Sequence, residues 1–251
     1  MTLFSQIKTP EQIERMRRGG RILAQVLEVL ASASKPGVTP IELSKLAAIE
    51  IERYGAEAAF LGHQGFPMPI CISVNDAVVH GIPGNIPLRA GDIVGLDFGV
   101  RYEGMVTDGA VTVAVGAIDP EAQRLLDVTQ AALAAGIKAA RAGNRVGDIS
   151  AAVERVLKAG KLGIIQELVG HGVGHSLWEE PQVPNYGPAG KGPKLVAGMT
   201  IAIEPMATLG GREITTDADH WTIRTVDGSL AAQFEHTVVV TDQAAEIITK
   251  T

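Results

Sequence analysis

The apolar positions of this chain change period along its length, and the changes mark out helices and strands. Ile13, Met16, Ile22, Leu23, Val26, Leu27 and Leu30 recur at helical spacing behind Thr9-Pro10-Glu11. That triplet is a capping residue, a proline at the first helical position and an acid in the first turn, so it predicts a helix start. The helix should stop before Lys35-Pro36-Gly37, and Thr39-Pro40 should open a second one reaching about Tyr54-Gly55. Phe60 to Pro69 is a loop rich in Gly, Pro and aromatics, Ile70–Val74 a short strand, and Val79-His80-Gly81-Ile82-Pro83-Gly84 a turn. The pattern then becomes β-branched. Ile93–Leu96 runs into Asp97, Val111–Val115 starts just after Asp108, and a tight turn near Arg101–Gly104 joins the two as a hairpin.

The second part of the chain repeats this order. Asp119-Pro120-Glu121 is another capped helix start, with a helix to about Arg141. Arg141-Ala142-Gly143 matches Lys35-Pro36-Gly37, and Asp148-Ile149-Ser150 matches Glu42-Leu43-Ser44 at the same offset of 106. His171-Gly172-Val173 answers His80-Gly81-Ile82, Ala197-Gly198 before Ile203-Glu204 answers Ala90-Gly91 before Leu96-Asp97, and Glu235-His236-Thr237-Val238-Val239-Val240 answers the strand opened by Asp108. A matched order over five features is a repeat. It predicts an α+β chain of two halves, about 9–116 and 117–251, related by a pseudo-twofold axis, with helices covering one face of a curved antiparallel sheet. The expectation is one catalytic domain over residues 1–251.

Composition narrows the function. The 46% hydrophobic and 20% charged content describes a globular chain. A net charge of −6 without a basic block argues against nucleic-acid binding. A single cysteine, Cys71, rules out an internal disulfide framework and fits a reducing compartment. The N-terminus has no apolar leader and no run of about 18 apolar residues follows, so a soluble cytoplasmic protein is expected, away from membranes. No GxGxxG or GxxxxGK[ST] is present to support nucleotide binding.

The hairpin carries the candidate chemistry. With its turn centred between Tyr102 and Glu103, residues whose numbers sum to 205 oppose each other, and Asp97 faces Asp108. Opposed residues share a face with Cβ atoms about 5 Å apart. Two carboxylates so placed among apolar runs need a shared proton or a cation; a solvated edge with two chance acids is the plainer alternative. The repeat adds Glu204 and Glu235, and each of the four acids is read as ending or beginning an apolar strand. Four carboxylates in one interior site call for roughly two divalent cations. The turn Gly170-His171-Gly172-Val173-Gly174-His175 offers a nitrogen ligand, and an oxygen-rich site with one imidazole suits Mn²⁺, Fe²⁺ or Co²⁺, and Zn²⁺ less well. The residues thus point to a dinuclear metallohydrolase. His80 alone reads more readily as a turn residue than as a ligand, His175 as a solvated one, and His220 and His236 receive no role.

The strings CISVNDAVVHGIP, AGDIVGLDFG, TDGAVTV, GHGVGHSLWEEPQVPNYG, GMTIAIEPM and WTIRTVDGSLAAQFEHTVVV closely resemble methionine aminopeptidases of the type I class, over almost the whole chain. The resemblance implies a two-half "pita-bread" fold and metal-dependent removal of the N-terminal methionine of peptides and nascent chains, with preference for a small second residue. It implies Asp97, Asp108, His171, Glu204 and Glu235 as ligands of two divalent ions (Co, Mn, Fe or Zn), with Asp108 and Glu235 bridging. Glu204 would also transfer a proton, and His80 would stand near the scissile amide. Phe60, His63, Phe66, Cys71 and Trp221 would line the methionine pocket, and a monomer is expected. The chain shows neither the long second-half insertion of the type II class nor an N-terminal extension for ribosome docking.

The chain departs from the family pattern at Trp178, seven residues after His171, where the family has a histidine that contacts substrate. Indole can neither accept a hydrogen bond through its ring nitrogen nor act as an acid or base near neutral pH. Phe66 and the pair His63-Gln64 also depart from the loop's usual aromatic pattern. Competing readings are an X-Pro aminopeptidase or dipeptidase of the same fold, which usually carries further histidines and a large N-terminal domain, and a non-catalytic peptide-binding homologue, which typically loses metal ligands.

Overall fold

The computed structural model describes residues 6–251; residues 1–5, where the stretch without an apolar leader begins, lie outside the described residues. The helices start where the sequence caps them. In α1 (Pro10–Ala33) and α2 (Pro40–Arg53), Thr9 and Thr39 each accept from the backbone N–H three residues on, while the side chain of Gln12 or Glu42 accepts from the threonine's own N–H. Short β1 (Glu57–Ala58), a 3-10 turn (His63–Gly65), β2 (Cys71–Val74) and β3 (Ala77–Val79) follow, then the long hairpin of β4 (Ile93–Tyr102) and β5 (Met105–Ala114). The second half begins with α3 (Pro120–Ala139), capped by Asp119, and α4 (Val146–Ala159). Ten short strands complete it: β6 (Gly163–Ile164), β7 (Gly170–Gly172), β8 (Glu179–Val183), β9 (Thr200–Ile203), β10 (Met206–Thr208), β11 (Ile214–Thr216), β12 (Ile223–Thr225), β13 (Ala231–Gln233), β14 (Glu235–Val239) and, last of all, β15 (Glu246–Ile247).

The main sheet is antiparallel, in the order β1-β4-β5-β14-β9-β7-β8, with β2 also on β4 and β15 on β14. Two three-stranded sheets, β13-β10-β6 and β11-β12-β3, close around it. The apolar stripe of α1 and α2 packs with Val94, Leu96, Phe98 and Val100 of β4. That of α3 and α4 packs with Ile201 and Ile203 of β9 and Val238 of β14. This is the helix-covered, curved sheet of the pita-bread fold.

The pseudo-twofold relation is visible bond by bond. The N–H groups of Gly37 and Gly143 donate to Leu88 and Leu195 carbonyls, and the N–H groups of Leu88 and Leu195 donate back to Val38 and Asn144. Gly91 and Gly198 donate to Val115 and Val240 in the same way.

Three expectations are corrected. The hairpin turn is Glu103-Gly104, both at positive φ (46° and 77°), which is the two-residue type I′ geometry that strand twist selects. Tyr102 therefore pairs with Met105, Asp97 opposes Ala110 and Asp108 opposes Gly99. The two acids share a face as diagonal neighbours, ~7–8 Å apart, and are not directly opposed. Asp97 and Asp108 also sit inside their strands rather than at the ends, because pairing continues through Tyr102 and Met105. His171 lies on strand β7, not in a turn, since Gly170 and Gly172 pair with β8 and Gly172 also with β9.

Candidate metal centre

Five consecutive strands of the main sheet place the floor of one cavity. Asp97 is on β4, Asp108 on β5, Glu235 opens β14, Glu204 follows β9 and His171 is on β7. Register explains the convergence. Cys71 pairs with Asp97, Asp97 with Ala110, and Ala110 with Glu235, so one row crosses four strands on one face. The β14–β9 pairing, with His236 opposite Ile203, carries the row on to Glu204. Thr237 locks the centre: its hydroxyl donates to the Asp108 carbonyl (2.7 Å) and accepts from the Asp108 N–H (3.0 Å).

All four acids are buried, and burial pushes their carboxyls upward. Asp108 is raised to about 7 by desolvation, against the Gly109 N–H that it accepts. Asp97, Glu204 and Glu235 are raised well above the usual range, by desolvation first and then by one another's charge and that of Asp108. His171 is pushed the other way, to about 4, by the same desolvation. Its Nδ1 lies 2.9 Å from the Gly172 carbonyl, which can only accept, so Nδ1 carries the proton. The Nε2 lone pair then faces Glu204 Oε1 at 3.5 Å and Asp108 Oδ2 at 3.8 Å. Lone pairs opposed in a dry site repel unless a proton or a cation lies among them. Donor atoms of Asp108, His171 and Glu235 all fall within 4.8 Å of one another, and Asp97 Oδ1 and Glu235 Oε1 are buried with no hydrogen-bond partner among the described residues. A hard, oxygen-rich donor set with one imidazole fits divalent metal.

The cavity is about 570 Å³ and every residue assigned to the site from the sequence lines it. Phe60, Phe66, Cys71 and Trp221 make a continuous apolar wall, with the Phe66 and Trp221 rings edge to face at 5.2 Å. Gly99 makes room for Phe60: a Cβ there would meet Phe60 Cε1 at 2.7 Å. Cys71 is buried and its thiol is pushed upward by desolvation and by Asp97 beside it. His80 lines the cavity at a left-handed φ of 56°, uncommon for a residue with a Cβ, and burial lowers its imidazole. Trp178 stands at the rim, 42% exposed, edge-on to His63 at 4.8 Å and 6.4 Å from His171. His175 does not replace it: its Nε2 is 3.0 Å from the Gln12 side chain and its Nδ1 3.7 Å from Glu179. His236 turns to the Thr249 hydroxyl.

Two supporting features escaped the sequence. Gln233 donates from Nε2 to Glu204 Oε2 at 3.2 Å; its position two residues before Glu235 was the available signal, since i and i+2 share a face of extended chain. Glu179, next to Trp178, forms a fully buried ion pair with Lys8 at 2.5 Å and accepts from the N–H groups of His175 and Ser176. Nothing in local sequence couples positions that far apart.

Comparison with known proteins agrees with this geometry. Residues 14–242 match the model of metallopeptidase family M24. Methionine aminopeptidase 1 of Bacillus subtilis (strain 168) is 43% identical over 243 residues, covering 97% of this chain and 98% of that protein. The crystal structure of methionine aminopeptidase from Thermotoga maritima superposes with a TM-score of 0.96 at 40% identity, covering 98% of this chain and 99% of that one. Prolidase from Pyrococcus furiosus shares the fold, with a TM-score of 0.80 at 22% identity over 99% of this chain and 66% of that one. By sequence over nearly its whole length, and by the sheet that gathers its acids, this chain belongs to metallopeptidase family M24, among the methionine aminopeptidases.

Proposed function

We propose that the protein removes the N-terminal methionine from peptides and nascent proteins, and that it does so on the cavity floor built by Asp97, Asp108, His171, Glu204 and Glu235. The observation that carries this is the His171 Nε2 lone pair set against Asp108 and Glu204 inside a floor of buried carboxylates. Those five residues would hold two divalent ions (Co, Mn, Fe or Zn). When bound, the ions supply Lewis-acid polarisation of the scissile carbonyl and a water of lowered pKa.

The chain's own groups do the rest. The apolar wall of Phe60, Phe66, Cys71 and Trp221 takes the methionine side chain, a flexible thioether against aromatic rings and a sulfur. Filling it excludes water from the floor, which strengthens every charge interaction there. Gln233 occupies Glu204 Oε2, leaving Oε1 on the His171 side to carry a proton to the leaving amine. Neutral His80, held by its left-handed backbone, stands in the wall where it can hydrogen-bond the scissile amide. A small second residue is expected where the chain leaves past Trp178.

In this reading residues 1–251 act as one catalytic unit, a cytoplasmic monomer that meets peptide N-termini and neither nucleic acid nor membrane. The net charge of −6 supports the former exclusion, and no described helix is long and apolar enough to cross a membrane. The test is mass-spectrometric. The protein is incubated with Mn²⁺, Fe²⁺ or Co²⁺ and a mixture of Met-Ala, Met-Gly, Leu-Ala and Ala-Pro peptides. Selective loss of methionine is expected. Cleavage before proline alone would move the chain to the X-Pro enzymes, and no cleavage by metal-loaded protein would leave a peptide-binding homologue.

A further inference from the structure

The cavity wall carries a buried polar atom with no part in that chemistry. His63 Nε2 is buried and has no hydrogen-bond partner among the described residues. A buried nitrogen left unpaired costs about 1–3 kcal/mol and asks for a reason. The loop holds it there deliberately. Gly62 (φ 78°) and Gln64 (φ 48°) flank it in left-handed conformations, and the turn is tied by His63 N–H to the Phe60 carbonyl (3.0 Å) and Phe66 N–H to the His63 carbonyl (2.9 Å). The ring plane meets Trp178 at 88°. Trp178 therefore both fixes the imidazole and stands on the solvent side of the cavity, 42% exposed, as the exposed lining residues Glu167, Glu180 and Gln182 also do.

The position of this nitrogen limits what it can meet. The substrate's amine and scissile carbonyl belong to the floor, and its thioether, a weak acceptor, belongs to the apolar wall. The polar groups that remain are the peptide backbone beyond the scissile bond, which must leave past Trp178. We infer that His63 Nε2 hydrogen-bonds this part of the peptide backbone, with Trp178 bracing the ring, so that His63 is a substrate-contacting residue rather than a piece of the methionine pocket. The inference rests on the proposed aminopeptidase activity.

Two substrates separate the two claims. Met-Ala-Ser has backbone beyond the scissile bond; methionine 4-nitroanilide has none. His63→Phe keeps a ring against Trp178 and removes both nitrogens. It should lose about tenfold in kcat/KM on Met-Ala-Ser, the worth of one hydrogen bond, and less than about twofold on the anilide. His63→Gln, which keeps a donor and an acceptor, should retain the preference for the peptide. Equal losses on both substrates, no loss on either, or a Gln variant as impaired on the peptide as the Phe variant would overturn the assignment. Wild-type protein that cleaves neither substrate would instead overturn the aminopeptidase reading.

Discussion

The two halves share one plan but reach the cavity by different means. The first half delivers Asp97 and Asp108 on a single hairpin of two ten-residue strands, so their spacing is set by a local turn. The second half delivers Glu204 and Glu235 on short strands separated by the excursion 205–234. That excursion builds β10 to β13, pairs back onto β3 next to His80, brings Trp221 to the wall and returns Gln233 to Glu204. One half therefore supplies a rigid acid pair through local register. The other supplies enclosure, and it depends on contacts between distant residues. The difference teaches where each kind of damage should fall.

The largest effect should come from the hairpin. Asp108→Asn removes a charge to which three other carboxyls and His171 are set, and turnover should fall by about a thousandfold or more, some 4 kcal/mol. Metal titration should show lowered stoichiometry with the fold intact by circular dichroism; unchanged metal binding would remove Asp108 from the ligand set.

Breaking the second half should cost stability first. Lys8→Met leaves Glu179 buried without its cation, at about 3 kcal/mol, read as a lower denaturant midpoint. The two N–H groups from His175 and Ser176 soften the loss without cancelling it. A midpoint equal to wild type would mean that the pair contributes no net stability.

The floor as a whole should respond to pH. Asp108 is raised to about 7, and Asp97, Glu204 and Glu235 are also raised, so the folded protein keeps protons that the unfolded chain releases near pH 4. The stability they contribute is complete below that pH and is lost as pH rises, through about 7 for Asp108. His171, lowered to about 4, acts in the opposite sense: its contribution is present above 6.5 and is lost as pH falls toward 4. Four carboxyls outweigh one imidazole. Metal-free protein should melt about 5 °C lower at pH 8 than at pH 5, and added Mn²⁺ should abolish the difference. Melting that rises with pH in the absence of metal would contradict the carboxyl assignment.

The smallest effect sharpens the comparison at the rim. Trp178→His puts an ionisable ring beside His171 and His63, and turnover should rise by about tenfold. An unchanged or lower rate would mean that position 178 lacks no catalytic group, and that bracing His63 is its whole contribution.

Much of this was legible before folding. Caps are local, so Thr9, Thr39 and Asp119 announced their helices. The repeat was legible because both halves use the same turns at matched offsets, as the Gly37 and Gly143 hydrogen bonds bear out. The acids stood out because a charge between β-branched runs is costly and needs a partner. Register was harder. Centring the turn one residue too early turned diagonal neighbours into opposed ones, since the positive φ of Glu103 and Gly104 decides the centre.

By itself, then, the sequence determined which segments fold, their twofold order, and which side chains are too polar for an interior without a cation. Those depend on neighbours a few residues apart. Only the tertiary structure decided the row from Cys71 through Asp97 and Glu235 to Glu204, the tautomer of His171, the burial of Lys8 with Glu179, and the pairing of His63 with Trp178. Each of those is a contact between elements remote along the chain, and its energy depends on the desolvation that only the packed cavity imposes.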